Sequence, residues 1–402
     1  MPTIAVLGTL DSKGHEHAFV ADIIRSRGHK VLLIDAGCLE APQVTPDVQR
    51  TDICPGLNQL PADRGVRVAA MAAAVPGFVA DLASGGKIDG IISLGGGGGT
   101  AIGSAAMRAL PIGFPKLMVS TLASGNVAPY VGTKDIVMMP SIVDVAGLNR
   151  ISSTLFRQAA GAICGMVEAK LAAPDSDANA RPIIVASMFG NTTTCINDAK
   201  SVLDQAGYET LVFHATGTGG RAMESLIESG MVTGVLDVTT TEWADEFVGG
   251  ILGAGPTRLD AAAKRGVPTI LAPGCLDMVN FGEPQTVPEK FSGRKFYHHN
   301  PQVTLMRTNA GECAELGRIL AEKANASTGP VTVFLPLKGI SIISTEGQPF
   351  HDPAADAALF NAIKKHLRQG ISCVEIDSTI NDPAFSQACA TELLRLLAAV
   401  KS

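Results

Sequence analysis

Short apolar runs recur along the chain, each closed by a glycine or a small polar residue and followed by residues with helical spacing. Residues 4–7 are such a run, stopping at Gly8. A helical pattern follows from about residue 14 to residue 27, with Phe19, Ile23 and Ile24 on one side, and the next strand is read at 31–34, ending at Asp35. A loop with Pro and Asp occupies 40–61, and an Ala-rich helix is predicted over 65–83. A strand at 90–94 runs into five glycines, a helix begins near Thr100, and strands at 116–119 and 136–139 precede a helix over 149–171.

Residues 172–182, small, polar and bracketed by prolines, have the composition of a linker. The alternation then restarts, with strands expected at 183–186, 210–213, 234–237, 269–272, 303–306, 331–335 and 373–376. Strand–helix alternation of this kind predicts parallel sheets with right-handed crossovers. The expectation is an α/β protein of two Rossmann-like domains, 1–175 and 182–402, each a mainly parallel sheet flanked by helices.

Composition sharpens this picture. Of the 402 residues, 46% are hydrophobic but only 4% aromatic, as suits strands covered by Ala-rich helices. The net charge of −6, with no basic run, argues against a general nucleic-acid surface. Eight cysteines are scattered without a C-x-x-C pair and read as reduced thiols. The N-terminus lacks a signal-peptide pattern, and the longest apolar stretch, 68–80, contains Pro76 and is too short to span a bilayer. A cytoplasmic protein without membrane contact is expected.

The strongest chemical signal is the run Gly95, Gly96, Gly97, Gly98 and Gly99 followed by Thr100, between a strand and a helix. Amides there can approach an anion without Cβ obstruction, and the helix N-terminus adds partial positive charge. A flexible turn is the plainer reading, but five ordered glycines are entropically costly. The run is neither a Walker A loop nor G-x-G-x-x-G. The first turn offers Thr9, Asp11 and Lys13 as ligand contacts, with helix capping as the alternative. Ser120 and Ser124 lie on a loop at the same sheet edge and offer hydroxyls to the site, with a plain loop as the alternative.

In the second half, Gly190, Asn191, Thr192 and Thr193 follow one strand, and Gly217, Thr218, Gly219, Gly220 and Arg221 follow the next. These turns belong at one sheet edge, where open α/β sheets bind ligands, and Arg221 can grip an oxyanion. No histidine or cysteine spacing suits a metal, and no G-x-S-x-G elbow occurs. Glu242 and Asp277 are the carboxylates best placed for acid–base work, with helix capping as the alternative. His351 is read as a structural hydrogen-bonding group more readily than as a substrate contact.

Several segments together carry a resemblance: GTLDSKG at 8–14, SLGGGGGT at 93–100, STLASGNVAPYVGTKDI at 120–136, SMFGNTTT at 187–194, HATGTGGRAMESL at 214–226, DVTTTE at 237–242, PGCLDMVNFG at 273–282, HNPQVTLMRTN at 299–309 and PFHDP at 349–353. The chain resembles, along nearly its whole length, the ATP-binding proteins related to the N-terminal inhibitory domain of the tomato mosaic virus resistance protein. The resemblance implies two α/β subdomains, a homodimer and bound ATP; with no protein metal site read from the spacing, a Mg²⁺ is expected to come with the nucleotide. It leaves open a regulatory nucleotide binder, an enzyme on a small phosphorylated or carboxylated metabolite, and an ATP-dependent protein-interaction module.

Overall fold

Strands buried on both faces must be apolar throughout, and the runs read above form such strands. The computed structural model describes residues 1–172 and 180–401, and the chain divides into two units, Met1–Ala178 and Asn179–Ser402. Residues 173–179 of the linker read at 172–182 lie outside the described residues.

The first unit runs β1 (Thr3–Gly8), α1 (Leu10–Ser26), β2 (Lys30–Asp35), α2 (Arg50–Ile53), α3 (Arg64–Ser84), β3 (Gly90–Gly95), α4 (Gly97–Arg108), β4 (Lys116–Ser120), α5 (Ala128–Val131), β5 (Val137–Pro140) and α6 (Arg150–Ala172). Its five strands are parallel in the order β2-β1-β3-β4-β5. Alternate side chains feed two cores. Ile4, Val6, Ile92 and Leu94 pack against α1 and α6, while Ala5, Leu7 and Ile91 pack against α3 and α4. The order reverses between β1 and β3, which opens a crevice beyond their carboxyl ends.

The second unit runs β6 (Ile183–Met188), α7 (Thr193–Gln205), β7 (Glu209–His214), α8 (Thr218–Glu228), β8 (Val232–Thr239), α9 (Glu242–Val248), α10 (Asp260–Arg265), β9 (Thr269–Gly274), β10 (Met278–Phe281), β11 (Phe296–Asn300), β12 (Val303–Arg307), α11 (Ala310–Asn325), β13 (Val331–Pro336), α12 (Pro353–His366), β14 (Ser372–Ile376) and α13 (Pro383–Lys401). Six strands form a parallel sheet in the order β14-β13-β9-β8-β6-β7, which repeats the first unit's reversal between β6 and β8. The strand expected at 303–306 is present but belongs elsewhere. With β10 and β11 it makes an antiparallel sheet, ordered β10-β12-β11, inserted between β9 and β13.

One helix among the described residues, α3, is long and apolar enough to cross a membrane by length and composition. Its inner face carries Met71, Val75 and Val79 into the core of the first unit. The eight cysteines form no disulfide, and six of them are buried.

Candidate functional site

The glycine run folds differently from the loop expected. Gly95 ends β3, Gly96 caps α4, and Gly97, Gly98 and Gly99 are the first turn of that helix. Gly95 is there because space demands it: a Cβ would sit 2.7 Å from the backbone of Gly99. A Cβ on Gly97 would meet nothing within 4 Å, so this turn presents bare backbone to open space. That space is a cleft of about 560 Å³ at the sheet's reversal point.

Thr9, Asp11 and Lys13 also line the cleft, from the start of α1. Asp11 is already committed, accepting from the backbone N–H groups of Cys38 and Leu39 at 2.9 Å each. Lys13 donates to the carbonyl of Val145 and so fastens the loop that carries Asp144 to the cleft wall. Ser12 Oγ bonds Thr9 Oγ1 at 3.2 Å. Thr100 and Ser120 are buried and bonded to each other at 2.7 Å, joining α4 to the end of β4 rather than facing the cleft. Ser124 is exposed on the following loop, and Thr121 lines the cleft in its place.

Beneath the cleft lies His17, fully buried. Its Nδ1 lies 2.6 Å from the Lys13 carbonyl, and its Nε2 accepts from the Leu94 N–H at 3.3 Å, an arrangement that requires the neutral ring. Burial lowers its pKa, in the same sense. A Cβ on Gly8 would lie 2.0 Å from His17 Nε2, so the glycine ending β1 makes room for the ring. Arg64, which opens α3, was not read from the sequence. Its guanidinium stands over Gly98, 3.8 Å from where a Cβ would be, and no hydrogen bond or ion pair from the described residues holds it. Nothing in the local sequence sets it apart from other helix-end arginines.

In the second unit the expected turns are filled from within. Gly217 (φ +78°) and Gly220 donate their N–H groups to Glu242 Oε1 at 2.7 and 3.1 Å. The N-terminus of α8 thus holds the protein's own carboxylate where an external anion was expected. Arg258 closes the arrangement, bonding Glu242 Oε2 at 2.7 Å and Asp237 at 2.5 and 2.7 Å, with Glu224 at 3.2 Å. Burial opposes the charge on Arg258, but these carboxylates outweigh it and raise its pKa well above the ordinary value. Arg221 reaches the Gly253 carbonyl at 3.1 Å. Thr218 is exposed, and Gly219 approaches the His214 carbonyl too closely to admit a side chain.

Nearby, Thr192 is buried against Thr239 at 2.8 Å, and Thr193 donates to the carbonyls of Phe189 and Gly190. Gly190 is exposed in the turn before α7, and the Asn191 carbonyl accepts from Asn381 at 2.9 Å. Asp277 is wholly buried and accepts from Ser341 Oγ at 2.7 Å, leaving Oδ1 without a partner. Burial pushes its pKa up to about 6, against the pull of Arg307.

Each unit therefore has the doubly wound α/β fold, with its reversal point at the carboxyl edge of the sheet. The first unit matches the family model "Uncharacterised protein family (UPF0261) N-terminal domain" over residues 2–172. The second matches the corresponding C-terminal domain over 181–397. The chain belongs to this family. It is 47% identical over 401 residues to a UPF0261 protein of Clostridium tetani, covering 98% of each chain. It is 37% identical over 422 residues to the ToMV resistance protein Tm-1(GCR237) of Solanum lycopersicum, covering 98% of this chain and 56% of the tomato protein. Among solved structures, a UDP-N-acetylglucosamine 2-epimerase from Rickettsia bellii aligns over 99% of this chain and 96% of its own at 10% identity and a TM-score of 0.23, too low to bear on function.

Proposed function

We propose that the cleft of the first unit binds a nucleoside triphosphate, ATP foremost. The observation that carries this reading is the side-chain-free first turn of α4, which opens onto a cleft of about 560 Å³ at the reversal point of a parallel sheet. Unobstructed amides at a helix N-terminus, reinforced by the helix dipole, suit phosphate oxygens. The volume lies within the range of about 300–1,000 Å³ usual for small-molecule sites. Arg64 supplies an uncommitted cation above the turn, and Val68 and Leu39 supply apolar wall for a base.

A Mg²⁺ would come with the phosphates. Asp11, Glu40 and Asp144 are the carboxylates on the cleft wall that it could meet. Calorimetric titration with Mg·ATP should give a Kd between about 1 µM and 1 mM. Neither heat nor a thermal shift at several-fold higher nucleotide would sink the proposal.

A further inference from the structure

The second unit has a cleft of its own, of about 450 Å³, at the carboxyl ends of β13 and β14. It is separate from the turns at α7 and α8, and the nucleotide reading does not use it. One wall is apolar: Leu337, Pro353, Ala357 and Phe360. Leu337 is 41% exposed.

The charged groups left free around that wall are acceptors, beside the hydroxyl of Thr379, which can both donate and accept. His351 Nδ1 lies 3.3 Å from the Ser344 carbonyl, a contact in which that nitrogen donates, and in the neutral ring Nε2 is then an acceptor. The ring is oriented from behind. Arg307, buried, donates to the carbonyl of Phe350 at 2.9 Å and that of Asp352 at 3.5 Å, holding the residues on either side of His351. Arg307 also bonds Asp356 Oδ1 at 2.6 Å, and Asp356 Oδ2 carries no hydrogen bond. The Glu346 carboxylate, exposed at the rim, has no partner either. The cleft's cation, Lys338, is paired with Asp377 at 2.9 Å. Ser344 is saturated, its Oγ accepting from the N–H groups of Ile340 and Ser341 and donating to the Ser341 carbonyl.

We propose that this cleft binds a small organic amine, its ammonium donors meeting Glu346, Asp356 Oδ2 and His351 Nε2 and its carbon chain lying on Leu337, Pro353 and Phe360. An ammonium has donors and no acceptor, which complements the free carboxylate oxygens of Glu346 and Asp356 on this cleft. A carboxylate or phosphate would face two carboxylates, against one exposed lysine that it would share with Asp377. A bare metal ion is disfavoured by spacing, since among the described residues no three His, Cys, Asp or Glu side chains are grouped to hold one. Donors spread along a carbon chain fit this arrangement better than a single point charge.

The test uses three five-carbon probes of the same length on the intact chain: 1,5-diaminopentane, 1,5-pentanediol and glutarate. Binding is followed by calorimetry and by the NMR signals of the histidine rings. The diamine is expected to bind with a Kd of about 1 mM and to shift the His351 signal, with the diol and glutarate at least about tenfold weaker. Glu346→Gln and His351→Gln alter exposed side chains, so the fold should survive. Each should weaken the diamine about three- to tenfold, the range of a charge-assisted bond in partial contact with solvent. Equal binding of diol or glutarate, no diamine binding, or diamine binding unmoved by both variants would overturn the proposal. None of these readouts involves nucleotide, so failure at the first unit's cleft would leave the result intact.

Discussion

A Cβ placed on Gly220 would lie 2.1 Å from Oε2 of Glu242, so this glycine is the condition for the carboxylate's seat on the start of α8. Gly220→Ala should displace Glu242 and leave Arg258 short of a buried partner. Breaking one member of a buried charged set costs about 3–5 kcal/mol. The protein's single tryptophan, Trp243, follows Glu242 directly and reports the loss as an earlier fluorescence transition in urea. An unchanged midpoint would mean that the carboxylate is not held as described.

The glycines at α4 should divide sharply. Gly97→Val should leave the fold intact, because its side chain points into open space, and should abolish the proposed nucleotide binding by covering the amides. Gly95→Ala should destabilise the first unit, since its Cβ would press on the Gly99 backbone at 2.7 Å. Circular dichroism beside nucleotide titration separates the two effects. A folded Gly97→Val variant that binds ATP like the parent would remove the phosphate from this turn.

Two arginines give a second contrast. Arg64→Ala should weaken ATP about ten- to a hundredfold, as expected for a lost charge-assisted bond of about 1.5–3 kcal/mol, with little change in stability. Arg221→Ala should leave ATP affinity as it was, because Arg221 serves the Gly253 carbonyl in the other unit. A reversed ranking would shift the site to α8.

Much of this was legible in the chain, and the failures have two causes. The strands of both parallel sheets are apolar runs, each needing only its own sequence to be recognised. Met278–Phe281 and Phe296–Asn300 escaped because one is four residues long and the other reads Phe-Tyr-His-His-Asn, with no apolar alternation. The start of α8 read as an empty anion seat because Glu242 lies 22 residues beyond Gly220 and Arg258 lies 16 beyond Glu242. Thr100 and Ser120 read as ligand hydroxyls because their mutual bond spans 20 residues. A local pattern shows that a turn can receive an anion, and only the tertiary fold decides which anion arrives. Arg64 was missed for the same reason, since its place over Gly98 follows from the packing of α3 on α4.

Acid should affect one buried carboxyl in an unusual direction. Burial pushes the Asp245 pKa up to about 7, although Asn280 donates to it at 2.7 Å. The unfolded value is about 3.9, so the folded state holds the proton more tightly between about pH 4 and 7. Stability from this group is therefore full at the acid end of that window and is lost as pH rises through it, by at most about 4 kcal/mol. In Asp245→Asn this dependence disappears. Denaturation of parent and variant at several pH values checks it: the parent should gain on the variant as pH falls, and a constant gap would refute the assignment.

The outward face of α3 carries a self-association prediction. Ala69, Ala73 and Gly77 are exposed, and no charged residue lies between Arg67 and Asp81. Light scattering is expected to give twice the 41.5 kDa chain mass, and Ala73→Glu to return it to that of one chain. A single-chain mass for the parent across micromolar concentrations would end this reading.

The unpaired thiols give the molecule an internal clock. Burial pushes Cys38 and Cys313 up to about 11 and Cys195 up to about 12, so almost none of the reactive thiolate exists near neutral pH while the chain stays closed. An alkylating reagent therefore waits for a breathing event, and the site it marks tells which event occurred. Cys38 records the loosening of the first unit beside its cleft, while Cys195 and Cys313 record the opening of opposite faces of the second unit's sheet. Ligand-dependent slowing of alkylation at one thiol and not the others would map, with the chain's own cysteines as the reporters, which part of the molecule a bound molecule tightens.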